Sequence, residues 1–388
     1  MPVPLVLSAP SLPKPVPSAI KAKSAVVIDA QSGKILWQRD PDTPRYPAST
    51  TKIMTVMLLL ERTSPEDVIT APKDIEKVGE ASMHLKPGEK VKAHDMAYAM
   101  LLRSANDGCV ATADHISGSV PAFAQLMNER AKEIGLTHTF FHNPNGLNDE
   151  LHKISAHDLG MIGREAMKRP DFREIAHTFK YKIARSINTK DEWMVSKNKW
   201  LVKDPSADGI KTGYTKPAGQ TYVGSATRNG FRVIDSIMHT DNWQGDHKAL
   251  LDWAFKNYQE SERYPAETVL GTAQVAGGRA NTVPYAAREE FHVLARPGQA
   301  RSTIEFHPRE ELRAPVSVGQ TLGSVTVTDA EGFVQTFPVH ATEALDPAPM
   351  AAATSHFDGR TILLAGGMVG GYLLMRRRVR RTVARVRF

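Results

Sequence analysis

Beyond residue 24 the apolar positions fall into three successive textures. Ala25-Val26-Val27-Ile28 and Ile35-Leu36-Trp37 flank the turn-forming run Asp29-Ala30-Gln31-Ser32-Gly33, which predicts a β-hairpin over 24–37. From Ser49 onward Ile53, Met54, Val56, Met57, Leu58, Leu59 and Leu60 are apolar nearly all round, so the helix they predict is buried in the middle of a domain. Helical spacing recurs at 93–104, 107–116, 120–134, 155–167 and 245–258, and strands fit 219–227 and 231–238. A hairpin at the start, helices in the middle and strands returning at the end predict one antiparallel sheet flanked by helices, an α+β fold.

After about residue 260 short alternating segments at 290–295, 302–306, 321–328 and 333–339 are separated by Gly, Pro and charged turns, the texture of a small β domain. The expected organisation is a leader over 1–23, a catalytic domain over 24–262, the β domain over 263–344, a Pro/Ala-rich linker over 345–360, a membrane anchor over 361–376 and a basic tail over 377–388.

Charge sharpens this division. Seven arginines after residue 375 account for the whole formal charge of +7, which leaves a neutral body with a basic tail. That distribution argues for something local, such as a membrane surface, rather than a nucleic-acid groove along the fold. The uncharged run ILLAGGMVGGYLLM over 362–375 leads directly into the arginines. As a helix it reaches about 21–23 Å, short of the roughly 30 Å hydrocarbon core, so spanning requires local thinning of the bilayer or the segment lies on its surface. If it spans, the arginines are cytoplasmic and residues 1 to about 360 lie outside. The N-terminus lacks a basic n-region, and the expectation is that the true start lies upstream with Met1 inside a signal's apolar region. The single cysteine, Cys109, reads as a small core residue.

Three short motifs carry the candidate chemistry. Ser49-Thr50-Thr51-Lys52 opens the apolar helix, and three residues is just under one turn, so Ser49 and Lys52 share a face. A lysine in a desolvated pocket is driven to its neutral form and can accept the serine proton. The same spacing at Ser11/Lys14, Ser18/Lys21 and Ser196/Lys199 opens no buried helix. Ser104-Ala105-Asn106 lies between two predicted helices, where a hydroxyl can relay a proton and an amide can hold the lysine and a substrate amide. Lys211-Thr212-Gly213 leads toward the strands from 219: Lys211 raises the local potential, Thr212 can bond a carboxylate, and Gly213 admits a backbone close to the strand edge.

Ser-x-x-Lys, Ser-x-Asn and Lys-Thr-Gly in this order and spacing are the motif set of penicillin-recognising serine enzymes. The chain closely resembles the D-alanyl-D-alanine carboxypeptidases, the low-molecular-mass penicillin-binding proteins of peptidase family S11. The matching words extend to Pro47-Ala48-Ser49-Thr50-Thr51-Lys52-Ile53-Met54, Leu85-Lys86-Pro87-Gly88, Ser104-Ala105-Asn106-Asp107, Asn143-Pro144-Asn145-Gly146-Leu147 and Asp208-Gly209-Ile210-Lys211-Thr212-Gly213.

The resemblance implies the penicillin-binding-protein/β-lactamase-like transpeptidase fold and an acyl-enzyme that releases terminal D-alanine from peptidoglycan stem peptides. It makes Ser49 the nucleophile, Lys52 its base, Ser104 and Asn106 the relay and holding element, and Lys211 and Thr212 the carboxylate anchor. The N–H groups of Ser49 and Tyr214 make the oxyanion hole. β-Lactams are implied as covalent inhibitors, the membrane is a partner through the C-terminal segment, and no metal or organic cofactor is required. Two departures, Asn145 where the family usually has histidine and Tyr214 where many members have histidine, imply altered rate or preference.

A class A β-lactamase shares the three motifs but uses Ser-Asp-Asn and a glutamate that activates water. Here the middle residue is Ala105, and Glu150 and Glu165 lack the expected surroundings. A non-catalytic, membrane-anchored wall scaffold is the alternative from another class. His138, His142, His152 and His157 show no metal-ligand spacing and are expected on loops or helix surfaces.

Overall fold

The computed structural model describes residues 20–299 and 301–349. Strands Ser24–Asp29 (β1) and Ile35–Arg39 (β2) form the expected hairpin. Ala207–Thr215 (β3), Gly219–Arg228 (β4) and Phe231–Thr240 (β5) complete an antiparallel sheet in the order β2-β1-β5-β4-β3. β1 sets Val26 opposite Ser236 of β5, so the first and last strands of this domain lie side by side and the helices between them pack on the sheet. β3 is an edge strand that the sequence does not predict: its Asp208, Lys211 and Thr212 interrupt the apolar alternation, and Lys211 is nonetheless buried.

Helices Lys52–Arg62 (α1), Ala93–Tyr98 (α2), Asn106–Ser117 (α3), Val120–Ile134 (α4), Ala156–Lys168 (α5), Pro170–His177 (α6) and Trp243–Asn257 (α7) follow in chain order. Every residue of α1 from Lys52 to Leu59 is buried, as its all-round apolarity requires. Its core neighbours include Ile28, Leu159, Val223 and Ile234, from the inner face of the sheet and α5. On the outer face α7 places Leu250 and Leu251 against Val27, Tyr222 and Ile237. Burying one such aliphatic side chain contributes about 1.5–3 kcal/mol, so the two layers together hold the sheet at a fixed distance from α1.

Three boundaries differ from expectation. Residues 20–23, assigned to the leader, are packed: the Lys21 and Ala22 N–H groups donate to the Asp246 carboxylate, and Ile20 and Ala22 are buried. The boundary at 262/263 falls inside a strand, Gln259–Tyr264 (β6). The β domain continues past 344, because Leu345 exchanges backbone hydrogen bonds with Val316 and the Ala348 N–H reaches the Gly277 carbonyl.

Strands Val269–Gln274 (β7), Thr282–Ala287 (β8), Phe291–Ala295 (β9), Thr303–Pro308 (β10), Thr321–Thr328 (β11) and Val334–Ala341 (β12) build the all-β C-terminal domain. Its sheet runs β7-β8-β12-β11-β10, with β6 paired to β9. It has its own core around Val283, Phe291, Val325 and Val339. The junction with the first domain is ionic and buried: Lys34 lies 2.5 Å from Asp329 and 2.8 Å from Glu331, and His292 Nε2 lies 2.8 Å from Asp29.

Among the described residues no helix is long and apolar enough to cross a membrane. The leader up to residue 19, the linker from residue 350, the anchor expected at 361–376 and the tail at 377–388 lie outside the described residues.

Candidate active site

The chain reaches α1 through a single 3-10 turn, Ala48–Thr51, rather than the α-helix expected from Ser49. Ala48 holds a φ of +50°, a conformation that L-residues rarely adopt and that costs of order 1–3 kcal/mol. Its carbonyl is packed against Gly146, whose own φ is +85°; a Cβ there would lie 1.8 Å from Ala48 O, so this position admits only glycine. Ser49 is thereby the one partly exposed residue in the run Ala48–Lys52.

Lys52 Nζ lies 3.0 Å from Ser49 Oγ, 2.7 Å from Asn106 Oδ1 and 2.6 Å from the Asn145 carbonyl. Burial lowers its pKa from the ordinary 10.5 to about 8, and the nearby charge of Lys197 acts in the same direction. Asn106 is itself fixed, since its Nδ2 donates to the Gly79 carbonyl at 2.9 Å and its Oδ1 therefore faces the lysine. The sequence could not reveal the part played by Asn145: a main-chain carbonyl has no residue signature. Because the contact is through the backbone, the departure from the family's histidine leaves it intact.

Ser104 ends a π-helical turn, Ala99–Arg103, with φ +67°, and is buried. π-Turns and positive φ at a non-glycine residue concentrate at functional sites. The Ser104 hydroxyl is not among the partners of Lys52.

Across from Ser49 runs β3, whose outer edge pairs with no strand among the described residues. A Cβ on Gly213 would meet Ser49 N at 2.9 Å and Thr221 Oγ1 at 2.4 Å, so glycine lets the edge close on the serine turn. Thr221 Oγ1 donates to the Pro47 carbonyl at 2.8 Å and ties strand to turn. Lys211 is buried with its Nζ donating to the Thr212 carbonyl, and burial, then Lys52 and Lys197, push its pKa well down. Thr212 is partly exposed and Tyr214 is largely exposed, both along the edge that faces solvent. All eight expected site residues therefore lie on the serine turn and the first residue of α1, the π-turn/α3 junction and β3.

Lys197 was missed. It sits in the polar stretch Ser196–Lys199 that contributes no nucleophile, yet its backbone N–H donates to Leu102 and its charge acts on both buried lysines. Cys109 is fully buried in α3, where burial pushes the thiol up to about 12, so it stays neutral while Lys52 titrates. Among the described residues no carboxylate hydrogen-bonds Ser49 or Lys52. Glu165 instead pairs with Arg130 and Lys168, and Glu150 is exposed.

His152 lies in a loop, as expected, yet it is buried, only 1% exposed. Its Nδ1 accepts the N–H groups of His142 and Asn143, so the proton lies on Nε2, 2.9 Å from Thr51 Oγ1. Burial lowers its pKa from 6.5 to about 4. The unfolded chain takes up this proton first, so the stability His152 contributes is complete above about pH 6.5 and is lost as pH falls toward 4. Its share of the loss is about 2 kcal/mol at pH 5. Urea midpoints at pH 7 and pH 5 for wild type and His152→Asn measure it; equal shifts in the two proteins would remove the assignment.

Residues 10–242 match the family described as D-alanyl-D-alanine carboxypeptidase, and residues 258–346 match the C-terminal domain of penicillin-binding protein 5. The chain is 29% identical to the D-alanyl-D-alanine carboxypeptidase DacF of Bacillus subtilis, over 85% of this chain and 87% of the relative. It is 30% identical to the D-alanyl-D-alanine carboxypeptidase DacA of Haemophilus influenzae, over 80% and 81%. The crystal structure of penicillin-binding protein 5 from Haemophilus influenzae superposes with a TM-score of 0.72 at 27% identity, covering 85% of this chain and 99% of that one.

Proposed function

Because this chain belongs to the D-alanyl-D-alanine carboxypeptidase family, we propose that its reaction runs through Ser49 as nucleophile and Lys52 as general base. The enzyme is a serine-type D-Ala-D-Ala carboxypeptidase that removes the terminal D-alanine of peptidoglycan stem peptides and is acylated by penicillin.

The observation that carries the residue roles is the hydrogen-bond count at Lys52. A neutral amine has two N–H bonds and one lone pair. Asn106 Oδ1 and the Asn145 carbonyl can only accept, so they take both N–H bonds and leave the lone pair for the hydroxyl proton of Ser49. Lowering the pKa from 10.5 to about 8 raises the neutral fraction at pH 7 about 300-fold.

In the proposed sequence the substrate lies as an added strand along the free edge of β3, with its terminal carboxylate at Thr212 and drawn by Lys211. Ser49 Oγ attacks the carbonyl of the penultimate D-alanine while its proton passes to Lys52. The developing oxyanion is met by the N–H groups of Ser49 and Tyr214. Lys52 returns the proton through Ser104 to the amine of the departing D-alanine. Water then attacks the ester carbonyl while Lys52 takes its proton, and Lys52 returns that proton to Ser49 Oγ as the ester C–O bond breaks, so the acid product leaves and the free serine is restored.

Brief exposure to benzylpenicillin, followed by intact-mass spectrometry and peptide mapping, is expected to give one adduct on the peptide bearing Ser49, together with D-alanine release from a diacyl-Lys-D-Ala-D-Ala peptide. An adduct on another peptide, with release intact, would overturn the assignment of Ser49.

The placement we propose for this enzyme is outside the cytoplasmic membrane, held there by residues 361–376 with the arginine tail inside. The apolar run followed at once by seven arginines supports this. Protease added to intact spheroplasts should degrade residues 20–349; protection of that region would reverse the topology.

A further inference from the structure

A cleft of about 500 Å³ opens at the junction of the two domains, at the far end of the sheet from Ser49. Thr221, beside the serine turn, and Thr227, in the cleft wall, are six residues apart on β4, about 20 Å. The walls are the β1–β2 turn, the last turn of α5, α6, the β4–β5 turn and, from the C-terminal domain, Arg263, Glu290 and His292.

The cleft gathers Arg164, Lys168, Arg173, Arg232 and Arg263. Three of these are matched by carboxylates: Lys168 by Glu165 at 2.6 Å, Arg232 by Asp208 at 3.0 Å, and Arg263 by Glu260 at 2.6 Å and Glu290 at 3.2 Å. Arg164 and Arg173 are not. Arg164 donates from Nε and Nη2 to the carbonyls of Ala30 and Gln31, and Arg173 donates from Nη1 to the carbonyls of Met167 and Lys168. Carbonyl oxygens fix the two guanidinium planes without neutralising them. Among the described residues Arg164 Nη1 and Arg173 Nε and Nη2 have no acceptor, and both side chains are half-buried.

The turns are shaped around these groups. Gly33, at φ +80°, would carry a Cβ only 3.2 Å from Arg164 Cζ, and Gly230, at φ +83°, one 3.0 Å from Arg263 Nη2. Burial lowers the pKa of Arg164, so the charges of Asp29 and Glu165 nearby do not fully compensate its desolvation.

We propose that this cleft binds a phosphate group, carried by a small phosphorylated solute or by a phospholipid headgroup, with Arg164 and Arg173 as its principal donors. Fixed guanidinium forks match the oxygens of phosphate in pairs, and the volume falls in the range of small-molecule sites, roughly 300–1,000 Å³. The ligand sits where the catalytic domain meets β6 and β9, so its binding fastens the junction. Nothing in this site touches the Ser49 machinery.

The test uses the full chain and three probes: inorganic phosphate and sn-glycerol 3-phosphate by calorimetric titration, and sedimentation with phosphatidylglycerol against phosphatidylcholine vesicles. Arg173→Gln and Arg164→Gln/Arg173→Gln are compared with wild type, with D-alanine release as the check of folding. The arginine tail binds anionic vesicles by itself but is common to all three proteins, so only the difference between them counts. Saturable binding of a phosphorylated solute, weakened at least about tenfold by Arg173→Gln, identifies a solute site. A variant-dependent loss confined to phosphatidylglycerol vesicles identifies a headgroup site. No saturable binding at millimolar solute together with equal vesicle binding by all three proteins, or equal affinity in wild type and the double variant, overturns the proposal. Arg173→Gln removes no carboxylate's partner, so the comparison survives if the double variant fails to fold.

Discussion

Ser49→Ala should lose the penicillin adduct entirely and release D-alanine at least about 10⁴-fold more slowly, while Lys52→Met should keep Ser49 yet lose roughly 10²–10⁴ in the rate of acylation. The two substitutions separate nucleophile from base. Lys52 is fully buried and bonded to three oxygens, so removing it takes away the one group that, among the described residues, is bonded to Ser49 Oγ and can accept its proton. Methionine fills a similar volume but leaves Asn106 Oδ1 and the Asn145 carbonyl without their donor.

The pH dependence follows with a definite sign. In the proposed mechanism the reactive form has Lys52 neutral, and its pKa is lowered from 10.5 to about 8, so kcat/KM should rise with pH and level off above 8. Between pH 6 and pH 8 the neutral fraction grows about 50-fold. Stopped-flow acylation across that range measures it; a flat profile, or a Lys52→Met enzyme that acylates at the wild-type rate, would remove lysine from the role of base.

Much of this site was legible before any coordinates because its parts are side chains with fixed spacing. Ser49 and Lys52 are one turn apart, and Ser104 and Asn106 bracket a helix start. What escaped was held by backbone or by distance along the chain. β3 fell outside the expected strand spans because Lys211 breaks its apolar alternation and is buried all the same, with its Nζ bonded to the Thr212 carbonyl, and no periodicity announces that. The Asn145 carbonyl has no side-chain signature at all. Lys197 lay in a stretch whose Ser196/Lys199 spacing imitates the motif but opens no buried helix.

The domain junction escaped for another reason. Its buried pairs join Asp29 to His292 and Lys34 to Asp329, residues whose separation in sequence exceeds any local pattern. Sequence texture located the β domain but misjudged both its edges, since β6 is polar over a paired backbone and Leu345, in a Pro/Ala-rich run, is buried and bridged to Val316.

A second large effect is expected from Arg185, which no motif singles out. Its guanidinium and the Glu89 carboxylate are fully buried and paired twice, at 2.8 and 3.0 Å. Burial alone would raise the Glu89 pKa, but the Arg185 bonds and the Lys86 N–H override it and hold the pKa below the usual range. Arg185 also donates to the carbonyls of Met83, His84 and Asp191, so it sews the 83–89 loop to the 185–191 segment. That loop continues from Gly79 and Ala81, whose carbonyls hold Asn106, and its Ser82, Met83 and Leu85 bond the Asp107 carboxylate at the start of α3. Arg185→Met should therefore cost about 3–5 kcal/mol, because it strands a buried carboxylate. The double variant Glu89→Met/Arg185→Met should be less damaged than the single one, since a buried pair replaced by apolar groups leaves no charge uncompensated. Urea unfolding of wild type, Arg185→Met, Glu89→Met and the double variant at pH 7 decides the matter: a double variant as unstable as the sum of both singles would mean that the pair acts through its carbonyl bonds and not through its charges.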